Sequence, residues 1–391
     1  MKPTKSGEKL HILFVLENYY PNIGGVETLF KKLAEHLAAE GHRATIITTR
    51  LRKNDPPEEY LGNLRILRYR FFNRYFFTLL AVFPVLFYAG KCDLVHTTSY
   101  NAALPAWLGA RLRRRKVIIT FHEVWGKMWF ELPFMGRFGK RLHFLFEQLI
   151  LRLNIDCFVG VSNSTSENLA KSGIPPNRLR TIFNGIDYQD FCAKNHLSES
   201  PKLSERLSSQ ATGNGLSETP FTYTYFGRLG VSKGLDILLE AARVFQAKFP
   251  FSRLKLIVPK TPAGFFKLIL DEIEKKGLNN HIQLLHHLPF EELKAELIAS
   301  DCVVIPSMSE GFCFAAVESI ALGVPVISSG KGALREVVSN KFITMKTLTP
   351  ADLVQALEQA RIGEWQTSPV KKFEISQTLT AYLNLYRDLT G

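Results

Sequence analysis

Paired cysteines are missing from this chain of 391 residues. Its five cysteines are odd in number and scattered, and no two of them have the Cys-x-x-Cys spacing. The pattern therefore excludes a disulfide framework and a zinc site of paired cysteines, and it favours a reducing compartment. The cysteines are Cys92, Cys157, Cys192, Cys302 and Cys313.

Long apolar runs are missing as well. The first ten residues, MKPTKSGEKL, lack an apolar core, and the run HILFVL that follows is too short for a signal peptide. Residues 75–90 are mostly apolar, but they are fewer than the roughly 20 that a membrane-spanning helix needs, and they include Pro84. We expect this segment to form a buried or interfacial helix. The expected location is the cytoplasm, and peripheral attachment to the cytoplasmic face of the membrane stays open.

Acidic residues are scarce in the first half of the chain. Residues 1–192 contain 27 Lys and Arg against 16 Asp and Glu, whereas the remainder contains 22 against 20. This asymmetry indicates an anionic partner for the first half, such as a membrane surface, a lipid-linked phosphate or a nucleic acid. No recognised RNA- or DNA-binding motif accompanies the charge, so we expect no nucleic-acid partner.

The length fits two α/β domains of nearly 200 residues each. Residues 1–192 form the first predicted domain, because apolar strand patterns alternate with helical patterns there from residue 11 onwards. Residues 193–219 are rich in Ser, Gly, Asn and Glu and predict a linker or mobile loop. Residues 220–369 repeat the alternation and form the second domain. Helical periodicity returns at about 370–391.

Glycines follow the first predicted strand, residues 11–16. Gly24 and Gly25 stand directly before a predicted helix over 26–40, where missing side chains let a phosphate or substrate approach backbone N–H groups. A single Gly-Gly pair is also common in ordinary turns. The dinucleotide fingerprint GxGxxG is absent, which lowers the odds of an NAD enzyme.

A strand, helix, strand unit over residues 301–338 contains two carboxylates. The helix is predicted at about 312–322, with Glu310 just before its N-terminus and Glu318 within it. Eight helical positions span roughly 12 Å, enough for two acids to contact opposite ends of one extended ligand. The helix N-terminus between them favours anionic or hydroxyl-rich groups, and together these features indicate a sugar nucleotide. The alternative is that both acids are solvated residues on a helix face.

Two cations precede this unit. Arg228 and Lys233 flank a glycine-containing turn between a predicted strand, residues 222–226, and a helix. The forked guanidinium of Arg228 and the compact ammonium of Lys233, beside a helix N-terminus, suit a pyrophosphate. Arg and Lys are, however, common on protein surfaces. His122 follows another predicted strand at its carboxyl end, where open α/β sheets bind ligands, although a histidine there is more often structural.

The chain resembles the retaining GT-B glycosyltransferases of family 4. Their second domain contains a Glu, seven residues, Glu motif in a context like that found here, and their diphosphate-binding element resembles GRLGVSKG, residues 227–234. GGVE, TFHE and NGID resemble the family's glycine loop, its catalytic-domain histidine and the NGxD element near the end of its first domain. The residues that match around the two acids are Ser309, Glu310, Gly311, Phe312, Glu318, Gly323, Pro325 and Val326.

The resemblance implies a fold and a reaction. The fold is GT-B, with two Rossmann-like domains facing across a cleft and a last helix that crosses back to the first domain. The reaction is transfer of a hexose from a nucleoside-diphosphate sugar to a lipid-linked or glycan acceptor with retention, and we expect it at a membrane surface. The family needs no metal and no cofactor, and the sequence has no DxD-like pair for a metal-bound diphosphate.

The resemblance also implies residue roles. Glu310 contacts the donor sugar and Glu318 the ribose, while Arg228 and Lys233 stabilise the leaving diphosphate and His122 lies near the donor sugar. Gly24, Gly25 and Glu27 are on the acceptor and phosphate side. The donor pocket also includes Gly311, Phe312 and Cys313.

Two positions depart from the family pattern. Cys313 stands where the family usually has glycine beside the donor hydroxyls, so the identity of the sugar is open. Glu123 replaces an acidic partner that is often Asp.

Two alternatives remain from the sequence. The chain could be a catalytically silent GT-B protein that binds a nucleotide sugar or an anionic membrane. The aromatic and basic residues within 124–153 fit either packing on the core or contact with a membrane interface.

Overall fold

A computed structural model describes residues 9–22, 24–132, 135–191 and 220–391. The predicted linker over 193–219 lies outside the described residues. The chain divides into two compact units, one formed by residues 1–185 and 374–391 and the other by residues 186–373.

The first unit is built on an eight-stranded sheet with the order β3-β4-β2-β1-β5-β6-β7-β8. All neighbouring strands are parallel except β3, which pairs antiparallel with β4. The parallel strands β2 and β4 follow outward from β1 on one side, and β6, β7 and β8 follow outward from β5 on the other, so β1 and β5 form a topological switch point. The strands are β1 His11–Val15, β2 Arg43–Thr49, β3 Glu58–Leu61, β4 Leu64–Tyr69, β5 Leu94–Thr98, β6 Lys116–Phe121, β7 Cys157–Gly160 and β8 Leu179–Thr181.

Helices cover both faces of this sheet, which explains why its central strands are buried along nearly their whole length. The helix predicted over 75–90 is interrupted at Ala81 and forms two helices. The helices from the first part of the chain are α1 Gly25–Ala39, α2 Arg74–Leu80, α3 Val82–Ala89, α4 Ala103–Leu112, α5 Arg137–Leu151 and α6 Asn163–Lys171.

The second unit contains a seven-stranded sheet with the order β11-β10-β9-β12-β13-β14-β15. Only β15 is antiparallel, and β9 and β12 form the switch point. The strands are β9 Thr222–Phe226, β10 Arg253–Ile257, β11 Ile282–Leu285, β12 Cys302–Ile305, β13 Val326–Ser328, β14 Asn340–Thr344 and β15 Gln366–Ser368. Its helices are α7 Leu235–Lys248, α8 Ala263–Lys275, α9 Phe290–Ile298, α10 Phe314–Ala321, α11 Leu334–Val337 and α12 Pro350–Arg361.

The last helix, α13 Ile375–Thr390, belongs to the first unit. It packs with α1 on one face of the first sheet, while α2 to α5 pack on the other face. None of the helices in the described ranges combines the length and the apolar composition that a membrane span requires.

A buried polar network joins α13 to the first sheet. His96 on β5 is fully buried, and its Nδ1 lies 2.7 Å from the Tyr386 hydroxyl. Its Nε2 lies 2.8 Å from the Thr120 hydroxyl, which is 3.0 Å from the hydroxyl of Tyr382. Burial, together with the nearby His122, lowers the pKa of His96 to about 3, so the imidazole is neutral in the folded chain.

This network predicts a pH-dependent loss of stability. The unfolded chain protonates His96 near its ordinary pKa of 6.5, whereas the folded chain does so only at about 3, so stability falls as pH drops below 6.5. By pH 5 the loss from this histidine alone is about 2 kcal/mol. Urea unfolding of the wild type and of His96→Gln at pH 7 and pH 5 measures it. Equal pH dependence in the two proteins would contradict the prediction.

Candidate active site

Three neighbouring strands of the second sheet end at one edge, and their loops contact one another. These are residues 227–234 after β9, 306–313 after β12 and 329–333 after β13. The backbone N–H of Met308 donates to the carbonyl of Ser232 at 2.7 Å. The Ser329 hydroxyl donates to the carbonyl of Ser307 at 2.6 Å. The loops therefore form one surface at the carboxyl ends of the strands around the switch point, where open α/β sheets bind their ligands.

A part-buried ion pair joins the two loops that flank the switch point. The Lys233 Nζ lies 2.8 Å from the Glu310 Oε1. The Ser307 hydroxyl donates to the same carboxylate oxygen at 2.7 Å. Each charge in the pair offsets the cost of desolvating the other, so both can be held away from bulk water. The structure thus brings together two of the predicted site residues and adds Ser307 to them.

Two glycines allow this close approach. Gly234, just before α7, has φ +66°, and a Cβ there would lie 2.0 Å from the Pro306 carbonyl oxygen. Gly332 has φ +58°, and its Cβ would lie 2.4 Å from the Glu310 carbonyl oxygen, which also accepts a hydrogen bond from the N–H of Ala333. Any side chain at either position would push the loops apart and displace the ion pair.

Arg228 lies in the same surface with its side chain exposed. Its backbone carbonyl accepts a hydrogen bond from the Tyr225 hydroxyl at 3.1 Å, which shapes the turn after β9. The guanidinium makes no hydrogen bond or ion pair with any residue in the described ranges, so it is available to an anion. Arg228 and Lys233 therefore offer two positive charges on one loop, one unpaired and one neutralised by Glu310.

Cys313 has a strained backbone. It precedes α10 with φ +73° and ψ +78°, in the left-handed region that a residue with a Cβ adopts at a cost. This conformation gives a physical reason for the glycine that the family pattern has here. The side chain is buried, and burial together with the nearby charge of Glu310 raises the pKa of its thiol well above the usual range.

Glu318 lies in the middle of α10. Its half-buried carboxyl has no hydrogen-bond partner or ion-pair partner in the part of the chain that the structure describes. Burial raises the pKa of this carboxyl to about 7. The helix begins at Phe314 instead of the predicted 312, so Glu310 stands in the preceding loop, four residues before the helix.

Phe312, which the resemblance places in the donor pocket, is buried. Its ring lies edge-on to Phe314 and to Phe373, with centroids 5.1 Å and 5.4 Å away. The ring therefore supports the loop from beneath, and its contact with a ligand would require the ring to move. Gly311 beside it is half-buried.

The glycine loop of the first unit follows β1 at its switch point. Gly24 is the N-cap of α1 and has no side-chain cap, and Gly25 is the first helical residue. Glu27 is buried, and its Oε1 accepts a hydrogen bond from the Asn22 amide at 2.8 Å. Its Oε2 is buried and has no hydrogen-bond partner in the described part of the chain. This carboxylate thus holds the loop through one oxygen and leaves the other buried without a hydrogen bond from a described residue.

His122 follows β6 at the same edge of the first sheet and is half-buried. The next turn, Gly126–Phe130, is held by Glu147 on α5, which is fully buried. Its carboxylate accepts four hydrogen bonds, so the segment that follows His122 is fixed to the helix. The donors are the Tyr100 hydroxyl at 3.0 Å, the Trp125 N–H at 2.8 Å, the Gly126 N–H at 2.7 Å and the Trp129 indole at 3.0 Å.

Sequence reasoning missed three residues that build these edges: Ser307, Gly332 and Glu147. Ser307 lies two residues after the end of β12 and three before Glu310, and this position was the available signal. Gly332 and Glu147 act on partners far along the chain, so no local pattern marks them. Within the described ranges, no three His, Cys, Asp or Glu side chains are grouped to hold a metal ion.

The two sheets, each mostly parallel and each with a switch point, define a two-domain Rossmann-like protein of the GT-B type. The family model "Glycosyltransferase Family 4" matches residues 23–190, and "Glycosyl transferases group 1" matches residues 209–364. The chain belongs to glycosyltransferase family 4, and it is a GT-B glycosyltransferase.

Similar proteins include two sequence relatives and a solved structure. A phosphatidylinositol N-acetylglucosaminyltransferase subunit of Arabidopsis thaliana is 25% identical over 90% of this chain and 74% of its own length. GDP-mannose:cellobiosyl-diphosphopolyprenol alpha-mannosyltransferase of Xanthomonas oryzae is 24% identical over 98% of both chains. The structure of sucrose-phosphate synthase from Thermosynechococcus elongatus superposes with a TM-score of 0.76 at 19% identity, covering 97% of this chain and 99% of that one.

The strain at Cys313 predicts an unusual order of stability. Cys313→Gly is expected to be more stable than Cys313→Ala by about 1 kcal/mol, because both lack the thiol and only glycine adopts the left-handed conformation freely. Urea unfolding of the two variants measures the difference. Equal stabilities, or a more stable alanine variant, would show that the backbone at this position is not strained.

Proposed function

We propose that the chain transfers a hexose from a nucleoside-diphosphate sugar to a lipid-linked acceptor at a membrane surface, with retention and without a metal ion. The main support is the ion pair between Lys233 and Glu310 at the switch point of the second sheet, with Arg228 exposed beside it. This arrangement suits a sugar diphosphate, because it offers cations for the phosphates and a carboxylate for sugar hydroxyls.

Donor binding would exchange partners within this pair. The diphosphate replaces Glu310 as the partner of Lys233, and the freed carboxylate accepts hydrogen bonds from hydroxyls of the donor sugar. Until the donor binds, the pair keeps both charges neutralised, so neither is left buried alone. Glu318 accepts hydrogen bonds from the ribose in this proposal.

The chemical step breaks the bond between the anomeric carbon and the diphosphate oxygen. Arg228 and Lys233 stabilise the negative charge that grows on the leaving diphosphate, in the position that a metal ion would otherwise take. The acceptor hydroxyl attacks the same face that the diphosphate leaves, and its proton passes to a diphosphate oxygen, so the configuration is retained. His122 stabilises the positive character of the sugar.

The acceptor is inferred from the relatives. One of them is named for phosphatidylinositol and another for a diphosphopolyprenol, and both are lipid-linked. The basic first half of the chain agrees with a phosphate-bearing lipid acceptor in an anionic membrane. We place the enzyme in the cytoplasm on this basis. A panel of UDP, GDP and ADP sugars would identify the donor.

Lys233→Ala is expected to reduce hydrolysis of the donor by about a hundredfold or more, because the leaving diphosphate loses a stabilising charge. Release of nucleoside diphosphate measures it for the best donor of the panel. Lys255→Ala is the matched control, since it removes the lysine of another part-buried pair in the same unit, 2.6 Å from Glu296. The control should keep its activity. If the wild type neither binds nor hydrolyses any donor, the chain is catalytically silent and the proposal fails.

The raised pKa of Glu318 predicts that nucleotide affinity increases with pH. Only the ionised carboxylate accepts both ribose hydrogen bonds, and its ionised fraction rises about tenfold between pH 6 and pH 8 around a pKa of about 7. Titration calorimetry with the preferred nucleotide should show a stronger pH dependence in the wild type than in Glu318→Gln.

Folding stability provides a second readout for Glu318. The unfolded chain ionises this carboxyl near 4.5 and the folded chain at about 7, so ionisation opposes folding as pH rises through this range. Glu318→Gln should therefore unfold at a higher temperature than the wild type at pH 8. Parallel affinity profiles in the two proteins would show that Glu318 does not contact the ribose.

A further inference from the structure

The outer face of α5 is apolar and exposed. Phe138 and Leu145 are 81% and 62% exposed, and Leu142 and Leu149 are exposed beside them. These four residues follow one another at intervals of four, three and four positions, which places them on one side of the helix. The opposite side is buried and includes the Glu147 that holds the segment after His122. The helix therefore has an apolar side that no described residue of the first unit covers.

The neighbouring helices repeat this arrangement. The inner sides of α2 and α3 pack on the sheet through Phe77, Ala81 and Val85, as the sequence predicted for this segment. Their outer sides leave large apolar residues exposed, so the segment is buried on one side and has the exposed apolar residues of an interfacial helix on the other. The exposed ones on the two helices are Tyr75, Phe76, Leu79, Leu80, Phe83 and Phe87, and Phe72 is exposed just before α2.

These helices form one layer. Helices α2 to α5 bury their inner sides in a single core cluster on one face of the first sheet, so their outer sides face away from it together. More than half of the exposed large hydrophobic side chains in the described ranges lie between residues 72 and 149. Soluble proteins rarely expose an apolar surface of this extent without a binding role.

Positive charge surrounds the same layer. Residues 70–152 contain thirteen Lys and Arg and only four Asp and Glu. One of the four acids is the buried Glu147, and another, Glu123, is half-buried. On α5 itself, Arg137 and Arg141 are exposed beside the apolar residues. The layer therefore combines an apolar surface with an excess of positively charged residues.

We infer that the outer face of α2 to α5 is the surface on which the first unit lies on an anionic lipid bilayer. An anionic bilayer uses both features, since its interior takes up apolar side chains and its headgroups attract the cations. A second copy of the chain would bring two positive layers together, which is unfavourable. A nucleic acid would use the charge and leave the apolar residues in water.

This docking surface deepens the proposed function and rests on it, because it defines how a lipid-linked acceptor reaches the enzyme. Phe130, at the end of the turn Gly126–Phe130, is exposed just before α5. Phe130 therefore adds an exposed apolar side chain to the segment between α5 and the sheet edge that presents His122. An acceptor whose lipid stays in the bilayer needs to extend only from the docking surface to this edge.

Flotation of the full chain with vesicles tests the inference. The chain is expected to bind vesicles of phosphatidylcholine mixed with phosphatidylglycerol, and to bind phosphatidylcholine alone more weakly. The double variant Phe138→Gln, Leu145→Gln should bind at least about tenfold more weakly, because two inserted apolar side chains are lost. The double variant Arg137→Gln, Arg141→Gln should bind more weakly at low salt and with a smaller salt dependence.

The matched control is Phe251→Gln, Ile362→Gln in the second unit, whose side chains are 70% and 62% exposed. It should bind vesicles as the wild type does. Equal loss in the control, or no binding of the wild type to anionic vesicles, would overturn the docking surface. So would a dimer in sedimentation that Phe138→Gln, Leu145→Gln dissociates, because a second copy would then cover this face.

Donor hydrolysis without vesicles separates this inference from the proposed function. A chain that hydrolyses donor but does not bind vesicles contradicts the docking surface alone. One that binds vesicles through Phe138 and Leu145 but neither binds nor hydrolyses any donor supports the docking surface and contradicts the proposed function alone.

Discussion

The ion pair between Lys233 and Glu310 depends on a topological constraint. β9 and β12 lie side by side, and the strands that follow each of them add to the sheet on opposite sides of this pair. The loops after β9 and β12 therefore lie next to each other, and the ion pair joins them. Two charges can be part-buried there only because each neutralises the other. The same constraint explains Gly234 and Gly332, because the loops approach too closely for side chains. The close approach of the loops therefore requires both the ion pair and the two glycines.

Much of the sheet could be predicted from the sequence. The predicted bounds of β9, residues 222–226, agree with the structure. The strand predicted over 11–16 ends one residue earlier, at Val15, and its apolar run marks it as a strand buried on both faces. Helix boundaries were less accurate where a local constraint intervened. Cys313 takes a left-handed conformation, so α10 begins two residues later than its composition predicts. The segment over 75–90 breaks at Ala81, although its apolar pattern is continuous.

The sequence predicted which residues belong to the candidate site, but it did not predict which of them contact one another. Motif spacing pointed to Lys233 and Glu310, yet it contained no information about their pairing across 77 positions or about the hydroxyl of Ser307. Glu147 has no motif at all, since its four hydrogen bonds depend on the tertiary packing of α5. His96 is similar, because its neutral state follows from burial beneath α13, whose Tyr386 lies 290 positions away in the chain.

Many of the excess basic residues of the first half lie around α2 to α5, beside the exposed apolar side chains. Two forces therefore act on this surface, Coulomb attraction and the hydrophobic effect. Coulomb attraction reaches about 10 Å at moderate salt, so the basic residues around α2 to α5 act on an anionic surface before contact. The apolar side chains act only on contact, when they leave water. Charge alone would leave the layer bound loosely and sensitive to salt, and apolar residues alone would not select an anionic surface. Because α5 presents both to the outside and Glu147 to the inside, the helix that meets the bilayer in our proposal is also the one that holds the segment after His122.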